Sequence, residues 1–473
     1  MHWCSVSLRL MIKQITRIRL KLIFLVLLVF LISYIIQLNL AVTLFLISLI
    51  TYLKFRRIDL KNYNLLNLTL LFLIIFASSH FIIKKGLPVF YIPFSLIPML
   101  TMLLFNNLEI ALLVTLAASV SVASISRNPF QLALLSLVSG ILAIVLLQGA
   151  RRRTTIIRAG LIVGIVQVIA LIFIDRLWLG LANRYLFLVL NGIVSSIIVL
   201  GVLPLFEYLF KTATNISLLE LADFNHPLLK RMILEAPGTY HHSLVVGNLS
   251  ETACGAVGAN ALLARIGAYY HDIGKLQKPE YFSENQEVSE NKHDTLSPTM
   301  SKLIIMNHVK EGVELAKKYK LKPTLIDFIL QHHGDSLVYY FYRRALETLE
   351  EDQEVKEEGF RYPGPKPDTK ETAIVLLSDS VEAATRALKE PTPAKIEEVV
   401  HKVVNNKFID GQLDECDLTL RDLEKISSIF IRILSGIYHS RVTYPEEAGS
   451  ENNHKKFPKK SSHLSDKDKK GNS

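Results

Sequence analysis

Apolar and polar positions follow two different regimes along the 473 residues. Up to about Phe210 the chain is a succession of apolar runs rich in Leu, Ile, Val and Phe. From Lys211 onward charged residues are dense and apolar ones recur with a helical period. A helix needs about 20 mainly apolar residues to cross the hydrocarbon core of a bilayer. Eight segments meet or approach that length: 20–37, 39–54, 64–83, 88–106, 108–126, 130–149, 156–177 and 185–210. The second is short and the first two can be read as one kinked helix, so the pattern predicts a transmembrane region of seven to eight helices over 20–210. Residues 1–19 form the segment before it, a cytoplasmic N-terminus.

The second regime reads as short amphipathic helices. Pro227, Pro323 and Pro393 stand near helix starts, and Gly334 follows an apolar-periodic stretch as a stop signal. No alternating strand pattern is present. The expected fold class is therefore all-α, a polytopic transmembrane helical bundle followed by a cytosolic all-α domain over 215–445. That domain carries an acidic loop around Glu347–Glu358 and then the turn-rich Tyr362-Pro363-Gly364-Pro365-Lys366-Pro367. Beyond Pro445 the composition turns polar and Lys-rich, and 446–473 is expected to be disordered.

Charge changes the picture in one respect. A net +10 is compatible with a nucleic-acid binder, but much of the excess flanks apolar runs or lies in the tail, where lipid headgroups and membrane topology account for it. No DNA or RNA polymer is expected as a partner; the lipid bilayer is. With eight spans, Arg17/Arg19/Lys21, Lys54/Arg56/Arg57/Lys61, Arg151/Arg152/Arg153 and Lys211 all fall on one side, the cytoplasmic one, and Lys84/Lys85 are the main exception. Both termini are then cytoplasmic, and the basic residues before the first run read as an uncleaved anchor, since no small-residue cleavage site follows. Asp175, Arg176 and Glu207 lie near span ends, so no run of intramembrane acids marks an ion path. Eight spans exceed what tethering needs, and sensing is the role expected of this half. Cys4, Cys254 and Cys416 are far apart and form neither a disulfide framework nor a thiolate zinc pattern.

Candidate chemistry sits in the second half, in a fixed order: His242 in GTYHHS, His271-Asp272 in YYHDIGK, His308 in IIMNHVKEG, His332-His333 in LQHHGD, and Asp379 in LLSDSVEAA. A lone histidine is more often structural than a ligand, and each dipeptide alone is a weak signal. The ordered set is a strong one. A carboxylate in a run as apolar as that around Asp379 costs several kcal/mol to bury without compensation, and a metal supplies it. Imidazole and carboxylate without thiolate suit Mn, Fe, Co or Zn. Two divalent ions facing two aspartates leave a net positive site, which suits an anionic phosphodiester and water as nucleophile. Lys275, one turn beyond His271-Asp272, is placed to contact a phosphate oxygen or assist the leaving group; its alternative is a solvated surface lysine. His226, His241, His293 and His401 have no partner pattern and stay structural or unassigned.

These motifs resemble the HD superfamily of metal-dependent phosphohydrolases, and more narrowly the seven-transmembrane HD-domain proteins of bacteria, the PgpH-type cyclic-di-AMP phosphodiesterases. The likeness rests on HPLLKRMILEAPGTYHHSLVVGNLSETA at 226–253, ANALLARIGAYYHDIGKLQKPEYFSENQ at 259–286, HDTLSPTMSKLIIMNHVKEGVELA at 293–316, TAIVLLSDSVEAATRAL at 372–388, and LPLFEYLF at 203–210. It implies that 215–445 is an HD phosphohydrolase domain in which His242, His271, Asp272 and Asp379 hold one divalent metal, while Asp272 bridges to a second held by His308, His332 and His333. The ions implied are Mn or Fe, with Asp272 and Lys275 as the catalytic residues. The reaction implied is hydrolysis of cyclic-di-AMP to the linear pApA, degrading a second messenger at a bacterial inner membrane, with a second copy of the chain admitted as a partner. Other readings stay open: an HD hydrolase of cyclic-di-GMP or guanosine tetraphosphate, or a nucleotide receptor without turnover. Two departures stand out. The family usually carries a large extracellular sensing domain after the first span, where here Gln37-Leu38-Asn39 is nearly all that separates two runs, and Asp335 follows HisHisGly where the family commonly has Thr.

Overall fold

The computed structural model describes residue 47 and residues 76–126, 129–175, 182–286, 291–347 and 355–438. The candidate spans 20–37 and 39–54, most of 64–83, the N-terminus 1–19, much of the acidic loop and the tail 446–473 lie outside the described residues. Among the described residues there is no β-strand, only an isolated bridge between Leu337 and Arg361, so the fold is all-α.

The membrane half contains α1 (Leu96–Phe105), α2 (Leu108–Ser124), α3 (Pro129–Leu147), α4 (Arg153–Asp175) and α5 (Ala182–Phe210). Among the described residues, three helices are long and apolar enough to cross a membrane: Pro129–Leu147, Arg153–Ile174 and Ala182–Phe210. The segment expected to cross as 88–106 is instead broken. Pro88 and Pro93 have no N–H to continue a helical ladder, so the chain makes a 3-10 turn at Val89–Tyr91 and only then enters α1, which is too short to span by itself. The carbonyls released by this break are not left bare, because Asn191 of α5 donates from Nδ2 to the carbonyl oxygens of Phe90 at 2.8 Å and Ile92 at 2.7 Å. Away from water such groups need a protein partner. Helices α4 and α5 meet backbone to backbone: a Cβ placed on Gly160 would lie 2.4 Å from the carbonyl oxygen of Gly192. Small residues are what permit so close an approach.

The second half comprises α6 (Asn215–Leu221), α7 (Pro227–Glu235), α8 (Pro237–Ala256), α9 (Ala261–Tyr270), α10 (Pro298–Lys318), α11 (Pro323–Gln331), α12 (Tyr339–Glu347), α13 (Lys370–Arg386), α14 (Pro393–Ile409) and α15 (Leu420–Ile437). Five of these begin on proline at the first helical position, where the missing N–H has no intrahelical partner to lose. Helix α13 is the central element. Ala373 through Leu377 are wholly buried, and its start is closed by a reciprocal cap between Thr369 and Thr372. Around it pack Leu249, Ile266, Phe328, Ile396 and Phe430 in one apolar core.

The halves are joined through polar contacts. Glu207, near the end of α5, accepts from Thr214 N at 3.1 Å, from Thr214 Oγ1 at 2.6 Å and from Lys322 Nζ at 2.8 Å. Lys322 is the N-cap residue of α11, so the last apolar helix is tied to the helix that ends beside His332.

Candidate metal centre

Five separate elements deliver the seven candidate ligands to one place. His242 lies in the second turn of α8, on its buried face. His271 is the C-cap of α9, and Asp272 follows it at the entrance to a 3-10 turn over Ile273–Gln277. His308 faces inward from α10, and Asp379 from the buried face of α13. His332 is the C-cap of α11, and Gly334, at φ 55°, turns the chain away immediately after His333. The approach of α10 to the HisAsp turn depends on Gly274, since a Cβ there would fall 1.8 Å from the carbonyl oxygen of His308.

Asp272 is the hub. Its Oδ2 lies 3.2 Å from His271 Nε2 and 3.5 Å from His242 Nε2, whose other neighbour is Asp379 Oδ1 at 3.1 Å. Its Oδ1 lies 3.4 Å from His308 Nε2 and 3.6 Å from His332 Nε2. Two ligand groups result, His242/His271/Asp272/Asp379 and Asp272/His308/His332/His333, the donor atoms of each lying within 4.8 Å of one another. They share a single carboxylate that offers one oxygen to each.

The imidazoles are oriented from behind. His271 donates from Nδ1 to the carbonyl of Ala268 at 2.6 Å, His332 to that of Ile329 at 2.9 Å, and His308 to that of Ile305. A proton fixed on Nδ1 leaves the Nε2 lone pair pointing at the centre, the tautomer a metal needs. His242 Nε2 and His271 Nε2 are buried without a hydrogen bond, and besides these imidazoles the buried Asp272 carboxylate faces one cation, the Lys275 ammonium 2.7 Å from Oδ2. Buried polar atoms are almost always satisfied, and a set of orphans that converges from different elements fits one or two cations. The residues present therefore suit a dinuclear divalent-metal site.

Both halves of the chain match known families. Residues 34–214 match the model of the 7TM receptor with intracellular HD hydrolase, and residues 239–384 match that of the HD domain. The cyclic-di-AMP phosphodiesterase PgpH of Bacillus subtilis (strain 168) is 46% identical over 316 residues, covering 66% of this chain and 44% of that protein. PgpH of Listeria monocytogenes serotype 1/2a (strain 10403S) is 41% identical over 392 residues, covering 81% of this chain and 54% of that protein. The chain belongs to the seven-transmembrane HD family. It spans about half the length of these relatives. A crystal structure of the HD domain of L. monocytogenes PgpH in complex with cyclic-di-AMP is 50% identical, covers 46% of this chain and 100% of that one, and superposes with a TM-score of 0.44.

Within this HD domain one residue escaped the sequence reading. Glu382, one turn beyond Asp379 on α13 and 2% exposed, accepts from His242 Nδ1 at 2.6 Å and is itself clamped by Arg386. It orients His242 as backbone carbonyls orient the other three imidazoles. Its only signal in the sequence was an acid in the otherwise apolar stretch after Asp379. His333 differs again: it turns Nδ1 toward Asp379 Oδ2 at 3.6 Å and stacks on Tyr362, with ring centroids 4.3 Å apart.

Lys275 is largely buried and holds two carboxylates, Asp272 Oδ2 and Glu284 Oε1, each at 2.7 Å. Burial opposes its charge, but Asp272 and Glu284 outweigh that and push its pKa up. Burial works against ionised Asp272 too, and the charges of His271 and Lys275 more than offset it, holding the carboxyl well below its usual range. Burial opposes a second proton on His271, but Asp272 favours it and raises the pKa to about 10, so a metal ion would have to displace that Nε2 proton, while burial depresses His308 to about 4. Of the histidines left unassigned, His293 bonds the carbonyl of Tyr281 and His226 packs edge-on against Tyr270, while His241 and His401 are exposed; none joins either ligand group.

Proposed function

We propose that this chain is a membrane-bound, metal-dependent phosphodiesterase that hydrolyses cyclic-di-AMP to pApA. The observation that carries the reading is the sharing of Asp272, one oxygen toward each of two ligand groups. The activity named for the PgpH relatives supplies the substrate. In this reading 215–445 is the catalytic domain, placed in the cytoplasm of a bacterial cell by the membrane region 20–210, and Mn or Fe are the ions.

Each residue then has a task. His242, His271, Asp379 and Asp272 would hold one ion, and His308, His332, His333 and Asp272 would hold the other. When bound, the pair of ions neutralises phosphoryl charge and makes a water acidic enough to attack at neutral pH. One P–O3′ bond of the ring breaks as the water oxygen bonds to phosphorus; of the water's two protons one ends on the departing 3′ oxygen, making it a hydroxyl, and the other is released to solvent. The imidazoles, protonated on Nδ1 and fixed by Ala268, Ile305 and Ile329, cannot swing away to chelate elsewhere. Lys275 keeps its proton because two carboxylates surround it, so its contribution is positive charge beside the phosphate and a fixed Asp272. That makes it a poor proton donor to the leaving oxygen.

The test uses the full chain in detergent, loaded with Mn or Fe, against cyclic-di-AMP, cyclic-di-GMP and guanosine tetraphosphate, with products separated by chromatography. Conversion of cyclic-di-AMP to pApA ahead of the other two is expected. Intact cyclic-di-AMP with metal bound, or faster turnover of another nucleotide, would overturn the substrate assignment.

A further inference from the structure

A cyclic dinucleotide brings two phosphodiesters, and only one can occupy the dinuclear centre at a time. The other is an anion that needs its own counter-charge. Lys407, in the last turn of α14, is a cation placed beside the centre that none of the steps above uses. Its Nζ donates to Ser336 Oγ at 2.7 Å. Ser336 belongs to the turn that carries the ligands, since its N–H bonds the carbonyl of His333 at 3.1 Å. Its own carbonyl accepts from the N–H of Tyr362, the residue stacked on His333. Helix α14 also packs against α13, the helix of Asp379.

The ammonium is short of partners. Among the described residues no carboxylate lies within ion-pairing distance of it. Of the acids around it, Asp379 faces the ligand histidines, Asp410 is engaged by Arg361 at 2.8 and 3.2 Å and by Gln412 at 2.8 Å, and Asp335 by Gln412. Burial pushes the Lys407 ammonium down, with Asp379 the first charge to oppose that. Lys407 is half-buried, and an ammonium with one hydroxyl as its hydrogen-bond partner has donors left for an arriving anion.

We propose that Lys407, steadied by Ser336, binds the second, uncleaved phosphodiester of the cyclic dinucleotide, and so selects a two-phosphate ring over a phosphodiester with one phosphate. This rests on the hydrolase reading above. Charge-assisted bonds to phosphate are among the stronger polar contacts, and the loss of one shows chiefly in KM when the same contact is made in ground and transition states.

The test compares wild type, Lys407→Gln and Lys407→Arg as full chains in detergent with Mn, on cyclic-di-AMP and on bis(p-nitrophenyl) phosphate, with metal content measured for each. Lys407→Gln is expected to raise KM for cyclic-di-AMP by about tenfold or more while kcat holds within about threefold, with KM for the one-phosphate ester unchanged. Lys407→Arg should stay near wild type on both. An unchanged KM for cyclic-di-AMP, an equal rise on both substrates, or loss of metal from Lys407→Gln would each overturn the proposal. If the wild-type chain left cyclic-di-AMP intact, the hydrolase reading would fail on its own. Lys407 is then judged by equilibrium binding of the same nucleotide, where Lys407→Gln must weaken Kd by a similar factor or the inference falls.

Discussion

Both halves of the chain bury polar atoms among apolar side chains, yet they deal with them differently. In the membrane half, hydroxyls return to their own helices: Thr101 to the carbonyl of Ile97, Thr115 to that of Ala111 and Ser121 to that of Ala117, each at 2.7 Å. Asn191 repairs a break in the backbone. The orphaned atoms there, such as those of Gln167 and Ser195, are uncharged amides and hydroxyls. In the HD half the buried atoms without a hydrogen bond include imidazole nitrogens that face a carboxylate whose one ammonium partner is Lys275. An uncharged orphan costs about 1–3 kcal/mol and a fold can carry it; a carboxylate buried among imidazole nitrogens with Lys275 as its one ammonium partner costs far more, and its surroundings suit divalent cations.

The sharpest way to break that contrast is to remove the shared carboxylate. Asp272→Ala should empty both metal positions and lower turnover by on the order of a thousandfold, about 4 kcal/mol of transition-state stabilisation. Lys275→Ala, which removes a charge but no ligand, should retain measurable turnover; equal residual rates in steady-state assays would count against Asp272 as the organising group. Glu382→Gln tests the layer behind. It should weaken binding of one ion by about 10–100-fold in a metal titration and leave the other unchanged, because His242 is the one candidate ligand it touches. Equal weakening of both would mean that Glu382 supports the domain rather than one ligand. The smallest effects belong to the membrane half. Gly160→Ala should lower the melting temperature of the detergent-solubilised chain by an amount equivalent to about 1–3 kcal/mol, since α4 and α5 must part. Gly201→Ala, with nothing within 4 Å of the added Cβ, should be neutral or slightly stabilising. A reversed order would show that the α4–α5 contact is not a tight one.

How much of this was legible in the sequence follows from the same physics. The candidate ligands stood out because each is a polar or titratable residue in or beside an apolar stretch, and their order matches a known pattern; Asp379 after Ile374-Val375-Leu376-Leu377 is the clearest case. Glu382 was hidden because an acid four residues before Arg386 reads as an ordinary surface pair. The break at 88–106 was hidden for the opposite reason: composition alone is apolar enough for a span, and Pro88 and Pro93 had to be weighed against it. Glu207 looked like a residue at a span end, and Lys322, 115 positions away, gave no hint of being its partner. Lys407 was no more visible, since its relation to Ser336 exists only once α14 is folded against α13. Local chemistry could be read from the chain; pairings across long separations could not.

The most direct test of the central claim is to load the purified full chain with Mn, count the ions and record the electron paramagnetic resonance spectrum. If Asp272 joins the two ligand groups, two Mn per chain should appear with an exchange-coupled spectrum, and Asp272→Ala should abolish the coupling. One Mn per chain, or two that remain magnetically independent in the wild type, would contradict the account.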